Sequence, residues 1–216
     1  MRIISGTSKG KKLYEPKDLL TRPLKDLTKE SIFNIITHSN KFGVALEGAN
    51  ILDLFSGTGS FGLECLSRAS KHVTFVENYK KVLPILKKNI ADLNYEKKSQ
   101  IVEKDINNSS SFKIFQNQFD VIFLDPPYKE KKLLKILENI FQSNLLKDEG
   151  VIIIHRHKKE FDEFPESPYA RIADRCSTRG EQQTPGRPTR LLAACSAPCV
   201  LAHAVSQAAH VARAPR

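Results

Sequence analysis

Several apolar runs in this 216-residue chain reach an acid near their end, and the acids of two of them, Asp125 and Asp53, are its best candidates for chemistry. The first run is Phe119-Asp-Val-Ile-Phe-Leu-Asp125-Pro126-Pro127-Tyr128. Two prolines fix φ twice and carry no N–H, so the Asp125 carboxylate and the Pro126 carbonyl stand as adjacent acceptors without a competing local donor. The complement of two adjacent acceptors is a group with two N–H bonds, and the exocyclic amine of a nucleobase is one. Accepting both hydrogens draws the nitrogen lone pair out of ring conjugation and leaves it free to attack an electrophilic carbon. Tyr128, with Pro127 beside it, can stack on the base.

The second run is Asp53-Leu-Phe-Ser-Gly57-Thr-Gly59-Ser-Phe-Gly62, which contains a literal G-x-G-x-x-G, with Glu77 about twenty residues further on. Such glycines give a tight turn, a close approach of backbone to ligand and close packing of the following helix, and they do not name the ligand. Asp53 separates the possibilities. A dinucleotide pyrophosphate sits against the bare N-terminus of a helix, where a carboxylate would repel it. S-adenosylmethionine (SAM) carries a sulfonium and an ammonium and no phosphate, so an acid at this strand end favours it over NAD. Glu77 closes Val73-Thr-Phe-Val-Glu77 and suits two ribose hydroxyls. Asp105 follows a third run and could face an adenine amine, with Ile106 packing on the ring. Arg22 could pair with a carboxylate of the ligand.

These acids fall at the ends of strand-like segments, and that dictates the elements needed to hold them. The alternation of patterns predicts strands at 50–55, 72–77, 99–103, 119–124 and 150–155, with helices near 60–69, 79–94, 108–115 and 130–142. Five βα units in sequence predict an α/β fold, a mostly parallel sheet of Rossmann type with its ligand beyond the carboxyl ends of the strands. Residues 2–5 and 11–15 flank a Gly-Thr-Ser-Lys-Gly turn and are expected to pair as a hairpin. The apolar residues 32, 33, 35 and 36 suit one face of a helix. The whole of 1–168 reads as one domain, with 1–40 as an N-terminal hairpin and helix extension.

The chain changes character near residue 169. All 23 lysines and all 12 phenylalanines precede it, whereas 11 of 15 alanines and 7 of 11 arginines follow it. The stretch 169–216 is therefore expected to be a non-native or disordered tail, and the last two strands usual for such a sheet are expected to be missing or replaced. The formal charge of +10 indicates an anionic partner, nucleic acid first. The charge divides evenly, 27 basic against 22 acidic residues through 168 and 7 against 2 after it. Lys9, Lys11 and Lys12, with Arg2 and Lys17 nearby, suit contacts to phosphates. His155-Arg-His157, followed by Lys158 and Lys159, ends the fifth strand at the rim where RNA could lie. Only Cys65 precedes the tail, and Cys176, Cys195 and Cys199 lie within it, which is unlike a disulfide framework and fits a reducing cytoplasm. The spacing Cys195-x3-Cys199-x3-His203 is off the usual zinc pattern, and no metal is expected. No apolar run suits a membrane span, and the N-terminus has no export signal, so a cytoplasmic monomer is expected.

Asp125-Pro-Pro-Tyr128 is similar to the [DNS]-P-P-[YF] motif of nucleic-acid amino-methyltransferases. More closely, residues 1–168 resemble the bacterial 16S ribosomal RNA guanine-N2 methyltransferase family. The resemblance runs through Arg2-Ile-Ile-Ser-Gly6 with Lys9-Gly-Lys-Lys-Leu13, Thr21-Arg22-Pro23 and Lys29-Glu-Ser-Ile-Phe-Asn34. It continues through Leu52-Asp-Leu-Phe55-Ser-Gly57-Thr-Gly59 with Gly62-Leu-Glu64, Phe75-Val-Glu77 and the Asp125 motif. It implies a class I SAM-dependent methyltransferase fold and methyl transfer to the N2 amine of a guanine in 16S rRNA or the small ribosomal subunit particle. It also implies that Arg22 and Pro23 lie over the methionine end of SAM, and that Asp53, Gly57, Glu77 and Asp105 line its pocket, with Phe55, Gly59 and Ile106 beside them. Asp125, Pro126 and Tyr128 would be catalytic. The alternatives are a DNA adenine-N6 methyltransferase, a non-catalytic RNA-binding remnant with an altered C-terminus and, last, an NAD oxidoreductase.

Overall fold

Asn50-Ile-Leu-Asp-Leu54 forms the central strand β1 because four of its five residues are buried and its neighbours on both sides are strands. The computed structural model describes residues 1–16, 24–38, 44–127, 130–156, 170–174 and 199–204. Along the chain follow β2 (His72–Val76), β3 (Ser99–Val102), β4 (Phe119–Leu124), β5 (Leu146–Arg156), β6 (Ala170–Asp174) and β7 (Cys199–Ala204). They form one sheet in the order β3-β2-β1-β4-β5-β7-β6. The pairs among β1 to β5 are parallel, and β7 runs antiparallel between β5 and β6. The order reverses between β1 and β4, which makes their carboxyl ends the crevice of an open α/β sheet. This is the expected Rossmann-like class I methyltransferase fold.

The period-2 alternation of the strands divides the core between the two faces. Ile51, Val73, Phe75, Val121, Phe123, Val151 and Ile153 pack with helices α1 (Asp26–His38), α2 (Ser60–Ser67) and α3 (Leu83–Asp92). Leu52, Leu54, Val76, Ile122, Leu124, Ile152 and Ile154 pack with α4 (Leu133–Gln142) and with a 3-10 turn at Ser109–Ile114. On the first face a ring column runs Phe33, Phe61, Phe123, with centroids 5.1 and 3.9 Å apart, so α1, α2 and β4 share one stacked contact.

Four expectations change in detail. The helix expected at 108–115 is the 3-10 turn, capped by the Asn108 side chain, which accepts from the Ser110 amide. Helix α3 starts at Leu83 rather than 79, where Pro84 occupies the first turn that suits it. Strand β5 begins at Leu146, through a register irregularity between Phe119 and Val121 of its partner. The fourth is a correction: the sheet is not missing its last two strands, because β6 and β7 lie inside the stretch expected to be a non-native tail. An alternating β-branched run does not mark them. The open hydrogen-bonding edge of β5 takes up Cys199–Ala204 through six residue pairs, and the outer edge of β7 in turn takes up Ala170–Asp174.

The N-terminal hairpin forms as expected, with Arg2 bridged to Lys12 and the Ile3 amide donating to the Lys11 carbonyl at 2.9 Å. A buried ionic cluster docks it. The Glu64 carboxylate on α2 accepts from the amides of Ile4 (2.7 Å) and Ser5 (2.9 Å) and from Arg68 Nε (2.9 Å). Lys29 on α1 lies fully buried 3.6 Å from Glu64 and donates to the Arg2 carbonyl at 2.6 Å. Burial lowers the Lys29 pKa, and Glu64 opposes that shift.

Two outcomes follow for stability, both read from urea unfolding. Gly6 and Gly10 both have positive φ, +82° and +85°, but a Cβ at Gly6 would fall 1.8 Å from the Ser67 carbonyl oxygen and one at Gly10 would touch nothing. Gly10→Ala should therefore cost about 1–2 kcal/mol, and Gly6→Ala about 3 kcal/mol or more because the hairpin must undock. Equal losses would contradict the docking. Glu64→Gln leaves Lys29 buried without its carboxylate and should cost about 3–5 kcal/mol. Lys29→Met should cost less, since Glu64 retains two amides and Arg68.

Candidate active site

Register brings the predicted acids to one edge. Leu54 pairs with Val76 on one side and Leu124 on the other, so Glu77 and Asp125 each stand one residue beyond a strand end that is level with Leu54. Asp53 has the same parity as Ile51, and Asp125 the same parity as Val121 and Phe123, so both belong to the face covered by α2 and α3.

Asp53 is only 1% exposed and lies beneath the glycine turn, where its Oδ2 accepts from the Gly62 amide at 3.0 Å. This bond ties the strand end to the first turn of α2. Among the described residues no basic side chain pairs with Asp53. Desolvation therefore pushes its pKa well above the carboxylate range, and the nearby Asp125 and Glu77 carboxylates push it further.

Glu77 is the brace of the pocket wall. Its Oε2 accepts from the Gly57 amide at 2.7 Å, and its Oε1 accepts from the amides of Asn78 (2.9 Å) and Tyr79 (2.8 Å). Three backbone donors fix the carboxylate: Oε1 is saturated by two of them, and Oε2 keeps a second lone pair for a ligand hydroxyl. Ser56 adds a further tie, with its amide on the Val76 carbonyl at 3.0 Å and its hydroxyl on the Asp53 carbonyl at 2.5 Å.

The turn itself is left-handed at alternate residues: Phe55, Gly57 and Gly59 have φ of 60°, 54° and 83°. Phe55 holds this conformation with a side chain present, a backbone cost of the kind concentrated at ligand sites. Gly59 and Gly62 serve packing. A Cβ there would lie 2.5 Å from Leu86 and 2.4 Å from Phe75, respectively. Of the three glycines, Gly57 gives its amide to Glu77 and Gly62 gives its amide to Asp53.

Asp105 is exposed, with Oδ1 accepting from the Asn107 amide at 2.9 Å in a local turn. Ile106 gives its side chain to the core of the second face, so of this pair Asp105 alone stands open at the rim. Pro126 is buried and Pro127 exposed beside Asp125. Arg22, Pro23 and Tyr128 lie outside the described residues, as do Lys17, His157, Lys158 and Lys159. Lys9, Lys11 and Lys12 are exposed on the hairpin, but the structure does not bring them to the acids. The hairpin docks through Thr7 and Ser8 on Ser67, at the far end of α2 from the glycine turn, a separation of roughly 10 Å along the helix.

Two positions contribute that sequence reasoning passes over or reads differently. Asn89 on α3 is buried; its amide donates to the carbonyls of Thr58 (3.0 Å) and Tyr14 (3.1 Å), and its Oδ1 accepts from the Tyr14 amide (2.7 Å). One side chain thus ties the glycine turn to the N-terminal extension. A lone Asn in an amphipathic helix gives no signal of this. His155, expected to be a rim contact for RNA, instead places Nδ1 2.8 Å from Asp125 Oδ1.

Residues 1–181 match the family described as Conserved hypothetical protein 95, which extends the family match beyond residue 168. The Bacillus subtilis protein YlbH, named as an rRNA methyltransferase, is 37% identical over 182 residues, covering 84% of this chain and 92% of that protein. The ribosomal RNA small subunit methyltransferase D of Haemophilus influenzae is 35% identical over 163 residues, 73% of this chain and 79% of that protein. The solved structure of Escherichia coli yhhF superposes with a TM-score of 0.68 at 22% identity, covering 95% of this chain and 98% of that one, and it supports the fold. The chain belongs to the Conserved hypothetical protein 95 family, the family of the ribosomal RNA small subunit methyltransferase D proteins.

Proposed function

We propose that this protein transfers a methyl group from S-adenosylmethionine to the N2 amine of a guanine in 16S rRNA of the small ribosomal subunit. The observation that carries the cofactor is electrostatic. Asp53, Glu77 and Asp125 share one strand-end crevice, and Asp53 is buried with no described cation, so that burial raises its pKa and the neighbouring carboxylates raise it further. A pyrophosphate would add charge of the wrong sign, whereas a ligand bearing an ammonium and a sulfonium relieves the repulsion. When bound, SAM supplies an electrophilic methyl group.

The chain's own residues do the rest by position. Asp53 offers a carboxylate to the ammonium, and Glu77, fixed by three amides, offers the remaining lone pair of Oε2 to a ribose hydroxyl. Gly57 lets the backbone approach. Asp105 stands at the adenine end, and Arg22 and Pro23 would cover the methionine end. At the reaction centre Asp125 and the Pro126 carbonyl accept the two hydrogens of the target amine and hold its nitrogen in line for attack. The amine becomes acidic as it gains the methyl group, and Asp125 is the group within reach to accept the departing proton. Tyr128 and Pro127 flank the base. Lys9, Lys11 and Lys12, exposed on the hairpin, would meet phosphates of the RNA.

Asp125→Ala should lower kcat for tritium transfer from labelled SAM to unmethylated small subunits by about 10²-fold or more, with SAM affinity retained in calorimetry. Retained turnover would overturn the acceptor assignment. Asp53→Asn should weaken SAM binding by about tenfold or more, on the scale of one charge-assisted bond. The same substitution carries a stability signature. A carboxyl with a raised folded-state pKa keeps its proton when folded at pH values where the unfolded chain has lost it. The stability contributed by Asp53 is therefore present at low pH and lost as pH rises from 3.8 through the folded value. Without ligand, Asp53→Asn should gain stability relative to the parent as pH rises across that window. An unchanged difference would show that Asp53 is not held in its neutral form.

A further inference from the structure

Strand register places a second side chain against the proposed amine acceptor. Leu124 pairs with Ile154 on the parallel strands β4 and β5, so Asp125 and His155 are the next residues on both and share a face. The structure realises that adjacency as a contact: His155 Nδ1 lies 2.8 Å from Asp125 Oδ1, with side-chain exposures of 15% and 26%. Nε2 of the same ring is buried without a hydrogen-bond partner among the described residues. The carboxylate is thus the one described polar partner of the imidazole.

We infer that His155 is a positioning residue for methyl transfer: it donates Nδ1–H to Asp125 Oδ1, fixes the plane of the carboxylate, and leaves Oδ2 to accept the target amine alongside the Pro126 carbonyl. This rests on the reading of Asp125 as the amine acceptor. A carboxylate on its own turns broadly about its terminal torsion. A two-point acceptor needs both oxygens held, since a displacement of about 1 Å in such a site is worth up to 10²-fold in rate. Pro126 locks the backbone carbonyl by its ring, and nothing in the Asp-Pro-Pro segment does the same for the side chain. His155 does so from the neighbouring strand. The required tautomer carries the proton on Nδ1, because a ring protonated only on Nε2 would set a lone pair against a carboxylate oxygen and bury an N–H without a partner.

The test uses the full chain, with three variants assayed on unmethylated small subunits and one spectroscopic readout that needs no turnover. His155→Leu is expected to lower kcat about 10- to 100-fold, with KM for SAM within a factor of about two, the pattern of a group acting only at the chemical step. His155→Asn, whose amide Nδ2 can take the place of Nδ1, is expected to recover most of that loss. Full kcat in His155→Leu, in preparations where Asp125→Ala is inactive, would overturn the inference and leave the acceptor reading standing. Failure of His155→Asn to exceed His155→Leu would also overturn it, since ring shape rather than the donor would then matter. Turnover retained in Asp125→Ala would remove the acceptor reading and the inference with it. In spectra of ¹⁵N-histidine-labelled protein, His155 is expected as the Nδ1–H tautomer, shifting in Asp125→Ala. An Nε2–H tautomer in the parent chain would overturn the inference whatever the activity.

Discussion

The strands β2, β1 and β4 end level with one another and β5 runs in register beside them two residues further, and every feature of the site depends on that alignment. Leu54 lies beside Val76 and Leu124, and Leu124 beside Ile154, so the next residues on three strands are Glu77, Asp125 and His155, with Asp53 one step inside on the fourth. A shift of one residue in any pairing would turn the acid of that strand to the opposite face of the sheet. The apolar alternation along the strands prevents such a shift, because Ile51, Val73, Val121 and Val151 are buried on one face and Leu52, Val76, Ile122 and Ile152 on the other. The core therefore sets the chemistry by setting the register.

That alignment gathers like charges, and the structure manages them unequally. Glu77 is surrounded by backbone amides and serves as a rigid wall. Asp125 has the imidazole of His155. Asp53 receives a single amide in a fully buried position and is driven toward its neutral form. The least satisfied carboxylate sits deepest beneath the glycine turn, and folding stability is given up there for a site that favours a cation. Glu64, by contrast, is a buried acid on α2 with two amides and two basic side chains, and it serves docking of the hairpin.

Much of this was legible in the sequence. The five parallel strands, their order along the chain and the acids at their ends follow from period-2 runs that stop at Asp, Glu or Pro, because strands buried on both faces need near-continuous apolar residues and their ends alone can hold charge. What was not legible depends on partners distant in sequence. Ala170–Asp174 and Cys199–Ala204 lack strand-like alternation; the β5 edge pairs with the second of them, which pairs in turn with the first. Asn89 has meaning only once the Tyr14 backbone and the Thr58 carbonyl converge on it. His155 reads as one of several basic residues at a strand end until the β4–β5 register sets it against Asp125. Gly59 and Gly62, placed in the motif as if for a ligand, are required by Leu86 and Phe75.

The central claim is that the crevice formed by Asp53, Glu77 and Asp125 directs a SAM methyl group to the amine of a guanine. Its most direct test is mass spectrometry of nucleosides from unmethylated small-subunit rRNA incubated with the full chain and SAM. The account predicts N2-methylguanosine at a single position in 16S rRNA. Methyl on adenine N6, or on a carbon or ring nitrogen in place of an exocyclic amine, would contradict it.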